Sequence, residues 1–290
     1  MPSSYQKDFL IEQLHEVVGS ARLPKLSDHR FDKAHERFER SSNQQNLILK
    51  SLTELVLAFP FDESFKVLSV GCGSGILDNP LLAAIAAAEH TIHYTGIDPN
   101  PVACSRFQNE FEQLSLANAE LDVRVETVET VETVSGDERF DMIHAVHSLY
   151  YFDDPAVAIE QLLGRLKPGG KLVIFQAPKA ELNQMVDCFW FNDQQIEIWF
   201  SERLEDHINE SGWGYAKSRI EARVDVTSCF DPSSAEGALI LDFITQVDCK
   251  ELGLATREHL LGYLDVIAEV TGSRTLVPHP VDVFEIAAPK

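Results

Sequence analysis

Phe65 to Asp78, FKVLSVGCGSGILD, constrains the fold more than any other stretch of the chain. Val67 to Val70 is a β-branched and aliphatic run of the kind that forms a fully buried parallel strand. Gly71, Gly73 and Gly75 follow at once, where missing side chains permit positive φ and let a ligand lie on the backbone. A second short run, Thr91 to Ile97, ends in Asp98 and Pro99, where a nucleotide-binding α/β unit places a carboxylate for ribose hydroxyls. For the glycines alone, close packing of helix on strand is the competing explanation. The pattern G-x-G-x-G, followed by Ile76, Leu77 and Asp78, departs from the G-x-G-x-x-G of dinucleotide sites, which leave the helix start free for a pyrophosphate. A carboxylate in the first helical turn repels phosphate and suits a cation. The expected ligand therefore carries a ribose and a positive charge but no phosphate.

A chain of 290 residues can bury one large core, or one core plus a cap. Its formal charge of −22, from 46 acidic and 24 basic residues, argues against nucleic acid or an anionic membrane as partner. Small cationic ligands, or simply a soluble surface, are compatible with it. Cys72, Cys104, Cys188, Cys229 and Cys249 show no C-x-x-C spacing and read as reduced thiols. The N-terminus shows no signal pattern, and the most apolar run, Leu81 to Ala88, is too short to span a bilayer. These features predict a soluble, cytoplasmic protein, a monomer or weak homodimer. His90 and His93, like His144 and His147, are three apart, but no cluster completes a metal site, so none is expected.

Residues 1 to 26 suggest a short amphipathic helix before Pro24. His29 to Leu57 reads as two helices with a polar break at Ser41 to Gln45, either a substrate-facing loop or a turn. Beyond the glycines, Asn79 to Glu89 and Val102 to Leu114 are helical, and Leu121 to Val125 alternates as a third strand. Val125 to Thr133 then repeats V-E-T, which reads as a solvated edge. Asp141 to Val146 is a fourth strand ending at His147, on the carboxyl edge where open α/β sheets bind ligands. Asp154 and Pro155 start a helix, and Lys167-Pro168-Gly169-Gly170 reads as a turn into the strand Lys171 to Phe175.

The glycine turn with Asp98, followed by F-D-x-I-H, L-Y-Y-F-x-D-P and L-K-P-G-G-K-L-V-I in that order, resembles the class I S-adenosylmethionine-dependent methyltransferases. The tracts Asp141 to Leu172 and Asp225 to Cys249 are further similar to the histamine N-methyltransferase family, over residues 30 to 288. The resemblance implies an α/β, Rossmann-like seven-stranded sheet with a small substrate-binding cap. It divides the chain into an N-terminal helical cover (1–64), a cofactor-binding core (65–178), and a substrate-lid segment with C-terminal strands completing the sheet (179–290). It implies S-adenosylmethionine as cofactor, with S-adenosylhomocysteine as product, and a small-molecule acceptor. Gly71, Gly73, Gly75, Asp98 and Pro99 would hold the cofactor, Glu126 and Thr127 would meet its adenine side, and Val146 its methionine end.

On the substrate side, the resemblance points to Asn43, where the family has an acidic residue, to His147, where it has glutamine, and to His279, where it has asparagine. These substitutions at the polar anchors leave the acceptor open. Tyr150, Tyr151, Trp190 and Phe243 are candidates for an aromatic wall, which would suit a planar or cationic substrate, and core packing is the alternative for each. His147, with an ordinary pKa near neutrality, is the candidate catalytic residue, orienting the acceptor or taking its proton. Three functions are weighed: N-methylation of an imidazole or amine, O- or carboxylate methylation on the same scaffold, and cofactor binding without turnover.

Overall fold

The computed structural model of the protein describes residues 4–21, 23–60, 64–88, 91–128, 138–194 and 198–288. The chain divides into two compact units. Asn46–Gln176, Ser201–Arg219 and Asp282–Lys290 form one, and Met1–Gln45, Ala177–Phe200 and Ile220–Val281 form the other. Nearly all of helix α3 (Gln44–Leu57), which the sequence grouped with the N-terminal cover, thus falls in the first unit.

That first unit is built on a seven-stranded sheet. Its strands are β1 (Ser64–Val70), β2 (Thr91–Asp98), β3 (Ala119–Val125), β4 (Phe140–Val146), β5 (Leu166–Gln176), β6 (Tyr215–Ile220) and β10 (Val281–Ala287). They run in the order β3-β2-β1-β4-β5-β10-β6. The five strands from β3 to β5 pair parallel, and β10 pairs antiparallel with β5. The central strands lack an in-and-out burial pattern because both faces are covered, as parallel sheets require. Helices α4 (Asp78–Ala87), α5 (Pro101–Leu114), α6 (Pro155–Gly164) and α8 (Ser201–Glu210) belong to the same unit. Asn100 and Asp154 cap α5 and α6, each accepting two backbone N–H groups ahead of a first-turn proline. The Lys167 to Gly170 stretch, read from sequence as a turn, lies inside β5. Gly169 takes φ +82°, and the β4–β5 register shifts between Phe140 and Met142, so the strand absorbs it as an irregularity. Asp282, fully buried in β10, accepts from Ser201 at 2.7 Å and from Arg219 at 2.6 and 3.0 Å, with Lys217 at 3.1 Å.

The second unit contains α1 (Ser4–Ser20), α2 (Asp28–Ser41), α7 (Leu182–Gln194), α9 (Ala235–Thr245) and α10 (Leu254–Ile267). A small antiparallel sheet, β7 (Arg223–Asp225), β9 (Arg274–Pro278) and β8 (Glu269–Thr271), completes it. Leu14, Met185, Ile240 and Tyr263 are among the side chains closing one apolar core. Among the described residues no helix is long and apolar enough to cross a membrane.

Candidate active site

The glycine turn closes on the ends of β1 and β2. The N–H groups of Gly71 and Cys72 donate to the Ile97 carbonyl at 2.9 and 3.1 Å, and Gly73 N–H donates to Asp98 Oδ2 at 3.0 Å. Asp98 Oδ1 accepts from Asn100 N–H at 2.8 Å. Each carboxylate oxygen thus retains acceptor capacity beyond the bond that shapes the turn. Gly73 and Gly75 both hold positive φ, +53° and +73°, but for different reasons. A Cβ on Gly75 would lie 2.2 Å from the buried ring of Phe107, whereas around a Cβ on Gly73 no described atom lies within 4 Å. A side chain at Gly75 would thus enter the core, whereas Gly73 has open space beside it.

Asp78 does not face a ligand cation as its position had suggested. It is 4% exposed and accepts from Tyr94 Oη at 2.6 Å, and the same hydroxyl is 2.7 Å from His144 Nε2. With the tyrosine proton given to the carboxylate, Nε2 of His144 is the donor to Oη, and Nδ1 is left buried without a partner among the described residues. Burial pushes the His144 imidazole down from its usual value and keeps it neutral. The chain His144 to Tyr94 to Asp78 ties the start of α4 to β2 and β4 and keeps this carboxylate buried.

His147 follows β4 directly. Its φ of +50° is a left-handed backbone that a residue with a Cβ adopts at a cost of about 1–2 kcal/mol. The conformation is held by its N–H donating to the Phe175 carbonyl at 3.0 Å. Its ring stacks on Tyr150, with centroids 6.2 Å apart and planes at 13°, and Nδ1 is 3.4 Å from the Tyr150 hydroxyl. Desolvation pushes the imidazole down to about 4, so the ring is neutral at neutral pH. Such a ring can give or accept a hydrogen bond but holds a proton poorly. Ser148, next in the chain, packs against the glycine turn, since a Cβ on Gly71 would lie 2.8 Å from its own Cβ. The β4 end and the glycine turn are thus immediate neighbours.

The other residues singled out from sequence divide between the two units. Val146 and Tyr150 are half-buried beside His147, whereas Tyr151 is 76% exposed and meets Tyr150 edge-on. Glu126 N–H donates to the Asp98 carbonyl at 3.2 Å, and Thr127 is half-buried after it; the rest of the V-E-T repeat from residue 129 lies outside the described residues. Pro99 is exposed between Asp98 and the cap of α5. In the second unit, Asn43 Oδ1 accepts from Arg223 N–H at 2.7 Å. His279 is joined to the same polar break through Gln44, whose Nε2 lies 3.0 Å from both its Nδ1 and its carbonyl. Gln44 itself was missed, one residue from Asn43 in the break that the sequence had marked. Phe243 sits among Phe31, His35 and Phe38, its centroid 4.6 Å from that of Phe38, as a packing residue between α2 and α9. The side chain of Trp190 lies outside the described residues.

The residues present fit S-adenosylmethionine. Gly73 leaves an open cradle, Asp98 keeps acceptor capacity for hydroxyls, and Glu126 Oε2 is buried without a partner among the described residues. Ile76, Val102 and Val125, at or just beyond the carboxyl ends of β1, β2 and β3, are apolar yet 48%, 76% and 55% exposed, as side chains covered by a bound adenosyl group would be. Sequence reasoning had not singled them out for the site. A Rossmann-like sheet with this turn and carboxylate defines a class I S-adenosylmethionine-dependent methyltransferase. Residues 35–211 match the family described as "Methyltransferase domain", and the chain belongs to it. It is 25% identical over 242 residues to histamine N-methyltransferase A of Xenopus laevis, covering 76% of this chain and 81% of that one. It is 24% identical over 235 residues to histamine N-methyltransferase of Danio rerio, covering 75% and 80%. Among solved structures, the fold is like that of the plantazolicin methyltransferase BamL in complex with a triazolic desmethylPZN analog and SAH. The TM-score is 0.52 at 14% identity, over 98% of this chain and 97% of that one.

Replacing Asp98 by Ala removes a charged acceptor from this site, and S-adenosylmethionine should bind about 1.5–3 kcal/mol more weakly in calorimetry. Unchanged affinity would remove Asp98 from the cofactor site.

Proposed function

We propose that the protein methylates a nitrogen of a small imidazole or amine, with His147 orienting the acceptor. The observation that carries this reading is the neutral, stacked His147 held in a strained backbone beside the glycine turn. Strain of this kind persists where surrounding structure enforces it, commonly at functional sites. The resemblance to histamine N-methyltransferases supports the acceptor class.

When bound, S-adenosylmethionine supplies an electrophilic methyl group whose bond to sulfur breaks as the acceptor's lone pair attacks, the bonding electrons passing to sulfur. A hydrogen bond from the neutral imidazole aligns the acceptor, and the Tyr150 ring fixes the plane of that imidazole. Alignment of this kind supplies a large share of the rate in a reaction needing little acid–base help. The proton displaced from the methylated nitrogen passes to water, because an imidazole titrating near 4 does not retain it at neutral pH. An oxygen acceptor is the second reading, favoured by the same neutral ring, which can donate to a phenol or carboxylate.

The deciding experiment is transfer of a labelled methyl group from S-adenosylmethionine to a panel of imidazoles, amines, phenols and carboxylates. Label on an imidazole or amine nitrogen is the expected result. Label confined to oxygen acceptors would overturn the nitrogen assignment and leave the methyltransferase assignment intact.

A further inference from the structure

We infer that the second unit carries a binding site for a small, multiply charged oxyanion. A groove of about 520 Å³ is lined by Arg37 and Arg40 of α2, Arg223 of β7 and Arg274 of β9. That volume falls in the range of small-molecule sites. Four guanidinium groups stand there against one lining carboxylate, Asp225, in a chain whose formal net charge is −22. Asp225 is already engaged by the backbone N–H and hydroxyl of Thr227, at 3.0 and 2.5 Å.

The arginines come from three separate segments, so no local helical pattern brings them together. Among the described residues, three form ion pairs with outlying acids. Arg37 meets Glu236 at 2.8 Å, Arg40 meets Glu36 at 2.6 Å and Arg223 meets Glu269 at 2.8 Å, and each of these glutamate side chains is more than half exposed. Ion pairs so open to water contribute little and give way readily to a better partner. Arg37 Nε is buried with no hydrogen-bond partner among the described residues, and no described ion pair reaches Arg274. Ser42, in the same lining, accepts from Gln44 N–H at 3.1 Å and keeps its own proton to donate. Planar guanidinium forks from several directions match the paired oxygens of phosphoryl and carboxylate groups.

Calorimetric titration of the full chain at low ionic strength, with inorganic pyrophosphate and citrate in separate arms, tests the site. At least one should bind with a Kd below about 1 mM and weaken as sodium chloride is added. The double variant Arg40→Gln/Arg274→Gln, altering two exposed side chains, should bind at least about tenfold more weakly. Arg274→Gln alone should show a smaller loss in the same direction. Arg106→Gln, an exposed arginine of the other unit paired with Glu110, should bind as the wild type does. Preference for pyrophosphate identifies a phosphoryl ligand, preference for citrate a carboxylate one, and equal binding a general oxyanion site. Absence of binding in both arms, or equal binding by the wild type and the double variant, would overturn the inference.

Discussion

Gly75→Ala should cost about 2–5 kcal/mol of folding stability, from a left-handed backbone carrying a Cβ and from overpacking against a buried ring. The added carbon would meet Phe107 at 2.2 Å, and Phe107, fully buried on α5, cannot swing into solvent. Urea unfolding of the purified protein measures this, and a loss under about 1 kcal/mol would show that α5 moves aside freely. The pair Gly75→Ala/Phe107→Leu distinguishes overlap from backbone strain. If overlap dominates, the two losses should fall short of additivity by about 1 kcal/mol or more, as contacting residues do. Gly73→Ala is the contrasting change. It should cost only the backbone term in stability, because its Cβ enters open space, and weakened S-adenosylmethionine binding in calorimetry would place Gly73 in the cofactor site.

His147→Ala should lower methyl transfer by about 10²-fold, the scale of a misplaced reactant, while calorimetric affinity for S-adenosylmethionine changes little. Equal losses in both would sink the orienting role. His147→Gly should go further and raise folding stability by about 1 kcal/mol, because the left-handed position then carries no Cβ. The two results together would mark a residue that costs stability where it stands and raises the rate. The pH dependence has a defined sign. Between pH 6.5 and about 4 the unfolded chain binds a proton at His147 that the folded chain excludes, so wild-type stability falls as pH is lowered through that window. His147→Gln should lose this part of the dependence. The wild-type rate should show no inflection near 6.5 from this residue.

The parts of the fold that were legible in the sequence are those written in contiguous residues. The run Val67 to Val70, the glycines and Asp98 lie on consecutive elements, so their geometry follows from local rules, and the methyltransferase fold could be read from them. Which glycine has open space beside it and which packs on the core could not be read, because the answer rests on Phe107, which reaches Gly75 from α5. Asp78 misled for a related reason. Its place in a first helical turn suggested exposure, whereas Tyr94 and His144 arrive from β2 and β4 to bury it. For His147 the location at a strand end was readable, but the backbone strain and the desolvated ring belong to tertiary surroundings. The arginine groove left no trace in the sequence, since its members come from α2, β7 and β9 and the overall charge points the other way.

The insertion of β10 between β5 and β6 carries a consequence for the order of synthesis. All of Ile220–Val281, a segment of the other unit, must leave the ribosome before Asp282 can meet Ser201, Lys217 and Arg219. Until then β5 presents a bare row of backbone donors and acceptors, a template on which a neighbouring nascent chain could pair. Neither unit is a continuous stretch of chain, so neither can be released as a contiguous fragment by proteolysis or made as one by simple truncation. A newly made molecule thus passes through a stage in which its largest sheet is open along one edge, and chaperone demand should concentrate there.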